Sequence, residues 1–178
     1  MNIRKIRFVC KPCQDIFIDI KRTPAIRYHT ILGTRYRSMI DINIEALIPH
    51  RKSMKLIEEI IELDDSHCVT AATVSPRWPL YDDGYVHPII LIELVAQSAG
   101  VNFGWHEMNK KTPSGQLGWL VGIKKARFFK DRIPVNSKIV TSIEDHKRDD
   151  VYAEICGTAR LDSEIIGEME LQVFRPET

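Results

Sequence analysis

Apolar positions crowd together between Pro88 and Trp105, in the stretch PIILIELVAQSAGVNFGW. Ile89, Ile90, Leu91, Ile92, Leu94, Val95, Ala96, Ala99, Val101 and Phe103 cover most of a helical circumference, which predicts one long helix buried on most sides. Pro88 suits its first position, because the fixed φ matches a helix and the missing N–H would be unpaired there anyway. The cleanest period-2 pattern lies near the C-terminus. Val151, Ala153, Ile155, Gly157, Ala159 and Leu161 alternate with polar neighbours, and Ile165, Gly167, Met169, Leu171 and Val173 do so again after Asp162-Ser163-Glu164. This predicts a hairpin with one buried face. Further strands are predicted at 67–75, 117–129 and 138–146, with a turn-rich loop at 76–87 and a polar loop from His106 to Gln116. Residues 41–53 read as a short helix or turn. The run KLIEEIIELDD fits a helical face and a strand equally well, as short apolar runs do. Strands in succession around a single apolar helix predict an α+β fold, with an antiparallel sheet wrapped round the helix.

Charge divides the chain. Residues 1–38 carry nine Lys/Arg against Asp15 and Asp19, whereas 39–178 carry sixteen against twenty-two Asp/Glu. The first segment therefore reads as a basic N-terminal extension, either flexible or an upstream in-frame stretch, and 39–178 as the folded domain. With 44% hydrophobic and 28% charged residues, the composition is that of an ordinary globular protein. No run of eighteen apolar residues predicts a membrane span, and no apolar h-region follows the basic start, which argues against a secretory signal. Cys10, Cys13, Cys68 and Cys156 do not suggest a disulfide framework, so a reducing cytoplasm is expected. Cys10 and Cys13 form a C-x-x-C with no second half at metal-ligand spacing, which leaves incidental cysteines against a metal or redox pair and predicts no metal site. The acidic body lacks a stacking array beside its basic residues, which argues against nucleic acid.

Two polar residues interrupt the apolar helix one turn apart, Glu93 and Gln97. A buried carboxyl costs several kcal/mol unless it is paired, hydrogen-bonded or protonated, so Glu93 is the first candidate for chemistry, with a structural carboxylate capped by backbone or by Arg127 as the alternative. Gln97 is placed to orient it or a water. Lys124, Lys125, Arg127, Lys130 and Arg132 form the main basic run of the domain, either a solvated strand face or a docking edge for an acidic partner.

Three passages carry a family resemblance. Leu47-Ile48-Pro49-His50-Arg51, Ile92-Glu93-Leu94-Val95-Ala96-Gln97-Ser98-Ala99-Gly100 and Gly122-Ile123-Lys124-Lys125-Ala126-Arg127-Phe128 with Pro134-Val135 resemble, in order and spacing, the L-x-P-H-R, I-E-x-x-A-Q-x-x-G and G-I-x-x-A-R-F motifs of the hotdog-fold β-hydroxyacyl-(acyl carrier protein) dehydratases. The resemblance covers about residues 44–174. It implies a hotdog fold, a homodimer with the active site between protomers, an acyl carrier protein as partner, and no cofactor beyond the phosphopantetheine that carries the substrate. The family's catalytic histidine stands fourteen residues before the helix glutamate; here that position is Pro79, in WPLYDDGYVHP. In this the chain is similar to the dehydratase-like proteins of aryl-polyene pathways.

Dehydration of a 3-hydroxyacyl thioester needs a base, an acid and donors for the enolate oxygen. The resemblance assigns the proton-transfer role to Glu93. His87, at the helix entrance, and His50, in the L-x-P-H-R segment, are the candidates to replace the missing histidine. Free N–H groups of Ile89, Ile90 and Leu91 would receive the thioester oxygen, Tyr85 would donate to substrate, and the basic run from Lys124 to Arg132 would dock the carrier. His29, His67, His106 and His146 are expected to have no role. A hotdog thioesterase, which can use a helix carboxylate without the dehydratase histidine, is the first rival function. A non-catalytic acyl-binding or dimerising partner is the second.

Overall fold

A computed structural model describes residues 28–31, 34–37, 42–110, 118–148 and 151–174. The chain divides into two units, with the boundary between Ser38 and Met39. In the first, β1 (Tyr28–Ile31) and β2 (Thr34–Arg37) pair antiparallel. Cys10 and Cys13 lie outside the described residues.

The second unit opens with a single helical turn, α1 (Ile44–Leu47), and a 3-10 turn (Lys52–Met54). Then come β3 (Glu59–Leu63), β4 (His67–Thr73), β5 (Tyr81–Asp82), β6 (Tyr85–Val86), α2 (Ile90–Asn109), β7 (Trp119–Phe128), β8 (Ile133–Pro134), β9 (Lys138–Arg148), β10 (Tyr152–Leu161) and β11 (Glu164–Phe174). Six of these strands form one antiparallel sheet in the order β3-β4-β9-β10-β11-β7, packed against α2; β5, β6 and β8 form a small second sheet. This is the hotdog arrangement that the resemblance implies.

The alternation along β10 explains how the sheet wraps. Ala153, Ile155, Gly157 and Ala159 are buried in turn, while their neighbours are half-exposed. The buried face is kept small where the helix comes closest: a Cβ on Gly157 would overlap the side chain of Val95. Leu91, Leu94, Val95 and Val101 of α2 join Ile139, Ile143, Ile155, Ile166 and Leu171 of the sheet in one core, all of them at most 1% exposed. Ser98 and Thr70 bridge helix to β4 inside it, Oγ to Oγ1 at 2.8 Å.

Several boundaries differ from those the sequence predicts. The ambiguous run resolves into β3, preceded by fully buried Leu56 and Ile57; tertiary burial decides where period does not. α2 continues four residues past Trp105, and His106–Asn109 are helical rather than loop. Glu107 is largely buried and pairs with Lys110 one turn on, which supports that last turn. At the other end Pro88 and Ile89 sit in a tight turn before the helix. Ile90, Leu91 and Ile92 donate to the carbonyls of His87, Pro88 and Ile89, an i→i−3 pattern.

Candidate active site

The site is assembled on one stripe of α2. Glu93, Gln97, Gly100 and Gly104 recur at i, i+4, i+7 and i+11 and so share a face. The chain from α1 to β3 runs along that stripe. Gly104 is the closest approach: a Cβ there would overlap the carbonyl of Leu47. Ile48 lies over Gly100, with its Cγ2 3.1 Å from where a Cβ would stand.

Side chains stiffen this crossing segment. Asn43 caps α1, its Oδ1 accepting from the Glu45 N–H at 3.0 Å. The Arg51 guanidinium gathers three carbonyls: Nη1 donates to Ile48 O at 2.7 Å and His50 O at 2.8 Å, and Nη2 to Glu45 O at 2.8 Å. A one-turn helix leaves its C-terminal carbonyls unpaired, and here Arg51 takes that of Glu45 from outside along with two carbonyls of the segment that follows. The result carries the His50 ring to Glu93, with Nε2 3.2 Å from Oε1.

Gln97 completes the group. It is fully buried. Its Nε2 donates to Glu93 Oε1 at 2.7 Å and to Met54 O at 2.6 Å, while its Oε1 accepts from Leu56 N–H at 3.0 Å. One amide therefore ties the backbone on both sides of Lys55 to the helix and fixes the carboxylate of Glu93. Both neighbours address Oε1, which leaves Oε2 without a hydrogen bond or ion pair among the described residues. The Glu93 side chain is 28% exposed, so it is not the sealed carboxylate that the apolar surroundings in sequence predict.

The ring of His50 has a definite polarity. Nδ1 is buried and has no hydrogen-bond partner among the described residues. A proton there would be left unpaired, whereas Nε2 faces the carboxylate at 3.2 Å. The tautomer consistent with the surroundings is therefore Nε2–H.

The other nominated residues are placed differently. His87 turns back on the helix start: Nδ1 accepts from Ile89 N–H at 3.2 Å, and its own N–H donates to Leu80 O at 3.2 Å. Its ring therefore caps the turn and makes no contact with Glu93 in the same chain. The amides of Ile89, Ile90 and Leu91 are engaged by His87 Nδ1, His87 O and Pro88 O. The expectation that they stand free as a group fails, because the tight turn around Pro88 satisfies them. Tyr85 is 40% exposed on β6, its ring 5.7 Å from the guanidinium of Arg132. In the basic run, Lys124, Lys125 and Lys130 face glutamates of the same sheet, Glu154 at 3.0 Å, Glu170 at 3.5 Å and Glu164 at 2.8 Å. The pairing with Glu154 holds the Lys124 ammonium above its ordinary pKa. Arg127 makes no contact with Glu93. Sequence reasoning missed Arg51, Gly104 and the 54–56 backbone; the spacing of Gly100 and Gly104 behind Glu93 and Gln97 was the available signal. Among the described residues no group of three His, Cys, Asp or Glu side chains could hold a metal ion, and no helix is long and apolar enough to cross a membrane.

Comparison with known proteins places this geometry. Residues 42–178 match the family described as ApeP-like, the ApeP dehydratases. The 3-hydroxyacyl-(acyl-carrier-protein) dehydratase FabZ of Streptococcus uberis is 32% identical over 110 residues, 58% of this chain and 76% of that protein. Its counterpart from Streptococcus pyogenes is 30% identical over the same shares of the two chains. Among solved structures, the dehydratase heterocomplex ApeI:P from Xenorhabdus doucetiae superposes with a TM-score of 0.71 at 24% identity, over 77% of this chain and 93% of that one, which establishes the shared fold. With the family match spanning most of the chain and the helix glutamate and glutamine held as described, the protein belongs to the ApeP-like dehydratase family.

Proposed function

We propose that the chain removes water from 3-hydroxyacyl thioesters carried on an acyl carrier protein, and that Glu93 moves the proton. The observation that carries this is the setting of one carboxylate: Oε1 accepts from Gln97 Nε2 and lies 3.2 Å from His50 Nε2, and Oε2 is open. Oε2 takes the α-proton. The electron pair left on Cα forms the double bond to Cβ, the Cβ–O bond breaks, and the Glu93 carboxyl returns the proton to the departing oxygen. Water leaves and the carboxylate is restored. His50 Nε2–H and Gln97 Nε2–H hold Oε1 throughout, so both are positioning residues.

A second chain of the same fold is part of the proposal. β7 is an edge strand, with Trp119 62%, Val121 59% and Ile123 50% exposed. At the start of α2, Ile89 is 45% exposed, and Ile92 and Ala96 on the helix are half-buried. An edge strand whose first half, Trp119 to Ile123, is apolar and exposed invites pairing with another strand. A homodimer is the simplest partner, and it would finish enclosing the Glu93 carboxylate and supply further donors for the thioester oxygen. A cytoplasmic setting fits the free, buried Cys68 thiol.

The test is turnover. Purified protein given a 3-hydroxyacyl carrier thioester, or the enoyl product, should interconvert the two. Release of free thiol without enoyl product would establish a thioesterase instead, and no turnover from either side would establish a non-catalytic role.

A further inference from the structure

A cavity of about 630 Å³ opens beside the segment that carries His50, and its walls hold Lys52, Lys55 and Arg77 with Ser53, Ser75 and Trp78. Glu58 is the carboxylate in the lining, and its Oε2 is taken by the N–H and hydroxyl of Thr73 at 3.1 and 2.8 Å. Three cations against one carboxylate leave the wall positive. Lys55 is paired with Glu45 at 2.8 Å. Among the described residues the side-chain charges of Lys52 and Arg77 have no hydrogen bond or ion pair. Lys52 is also held at φ 54°, a left-handed conformation that costs a lysine about 1 kcal/mol and that persists where the surroundings require it. These features contrast with the basic run on and just after β7, where three lysines already face glutamates.

We propose that this cavity binds the phosphate of the substrate's 4′-phosphopantetheine arm. The inference rests on the dehydratase reading above and adds to it the site that anchors the arm. A guanidinium, two ammonium groups and two hydroxyls are the donor set that a phosphate dianion or diester takes. The cavity is also coupled to the carboxylate by one side chain. Gln97 bonds the backbone at Met54 and Leu56, on either side of Lys55, and bonds Glu93 as well. A phosphate drawn onto Lys52, Lys55 and Arg77 therefore loads the same short segment that fixes the reacting group. Trp78, 7% exposed, gives the arm an apolar wall as it leaves the phosphate.

The probes are the same 3-hydroxyacyl group on pantetheine, on 4′-phosphopantetheine and on the carrier protein, given to the full chain and to a Lys52→Gln/Arg77→Gln double variant. In the wild type, kcat/KM for the phosphopantetheine thioester should exceed that for the pantetheine thioester by about tenfold. In the double variant that ratio should fall towards one, whatever the absolute rates. A ratio unchanged by the double substitution overturns the proposal. So does a loss confined to the carrier-bound substrate, which would assign the cations to the carrier's acidic surface. If none of the three thioesters turns over in the wild type, the dehydratase reading is what fails. Quenching of tryptophan fluorescence by free 4′-phosphopantetheine, absent with pantetheine and absent in the double variant, still decides the cavity; equal response to both ligands would overturn it.

Discussion

His50 Nε2 lies 3.2 Å from Glu93 Oε1 within a single chain, although the sequence places His87, not His50, next to the helix that bears the glutamate. The contact depends on a backbone crossing, not on sequence proximity, and each part of that crossing can be removed separately.

The carboxylate itself is tested first. Glu93→Gln keeps the size of the side chain and removes its ability to take a proton. Dehydration should fall by about 10²–10⁴, with an unchanged circular dichroism spectrum. A variant with full activity would remove Glu93 from the reaction.

Gln97 is expected to matter for stability as well as rate. Gln97→Leu leaves the buried Leu56 N–H unpaired, at a cost of about 1–3 kcal/mol, and releases the partly buried Met54 carbonyl. Denaturant unfolding should show a loss of that order. The kcat should drop while the KM for a pantetheine thioester moves little, since the side chain orients Glu93 without touching substrate.

Gly104 keeps α1 on the helix. A methyl group there overlaps the Leu47 carbonyl, so Gly104→Ala should displace the segment that carries His50. Lower turnover with a retained fold is expected, along with faster amide exchange over residues 44–50. Wild-type rates and exchange would show that the crossing tolerates the methyl.

How much of this was legible in the chain follows from the range of each signal. The alternation from Val151 to Val173 and the apolar run after Pro88 are local periodicities, and β10, β11 and α2 lie where they indicate. Glu93 and Gln97 were legible as polar residues on an apolar helix. The choice between His50 and His87 was not, because it turns on contacts between residues far apart in sequence. His87 is drawn away by the Ile89 N–H beside it, while His50 is delivered by Arg51, Gly100 and Gly104 acting together. The pairing within the basic run was not legible for a similar reason: the glutamates facing Lys124, Lys125 and Lys130 come from β10 and from the start and middle of β11, and only strand register shows them. β5, β6 and β8 have two residues each, too few for any period.

Cys68 offers a pH and reactivity check on the core. Burial, with a smaller effect from Asp64, pushes its thiol far above the ordinary value of 9.0. The folded state therefore keeps the proton where the unfolded chain loses it. The stabilising difference is fully present below pH 9 and diminishes as pH rises past it. Stability should fall above pH 9, and the fall should disappear in Cys68→Ala. Alkylation of Cys68 at pH 8 should occur only at the rate of unfolding; rapid modification of the native protein would contradict its place in the core.

The edge strand predicts association. Val121→Lys with Ile123→Lys places two charges on β7, where the native residues are 59% and 50% exposed. Sedimentation should show an oligomer for the wild type and a shift to monomer for the variant. A monomeric wild type would leave the edge unexplained.

The most direct test of the account compares two histidines in one assay: the kcat/KM of His50→Ala and of His87→Ala for dehydration of a single 3-hydroxyacyl carrier thioester. His50→Ala removes the donor that orients Glu93 and should lose about a hundredfold. His87→Ala removes only a cap on the helix start and should remain within about threefold of wild type, with a stability loss near 1 kcal/mol. Full activity in His50→Ala, or collapse in His87→Ala alone, would contradict the assignment.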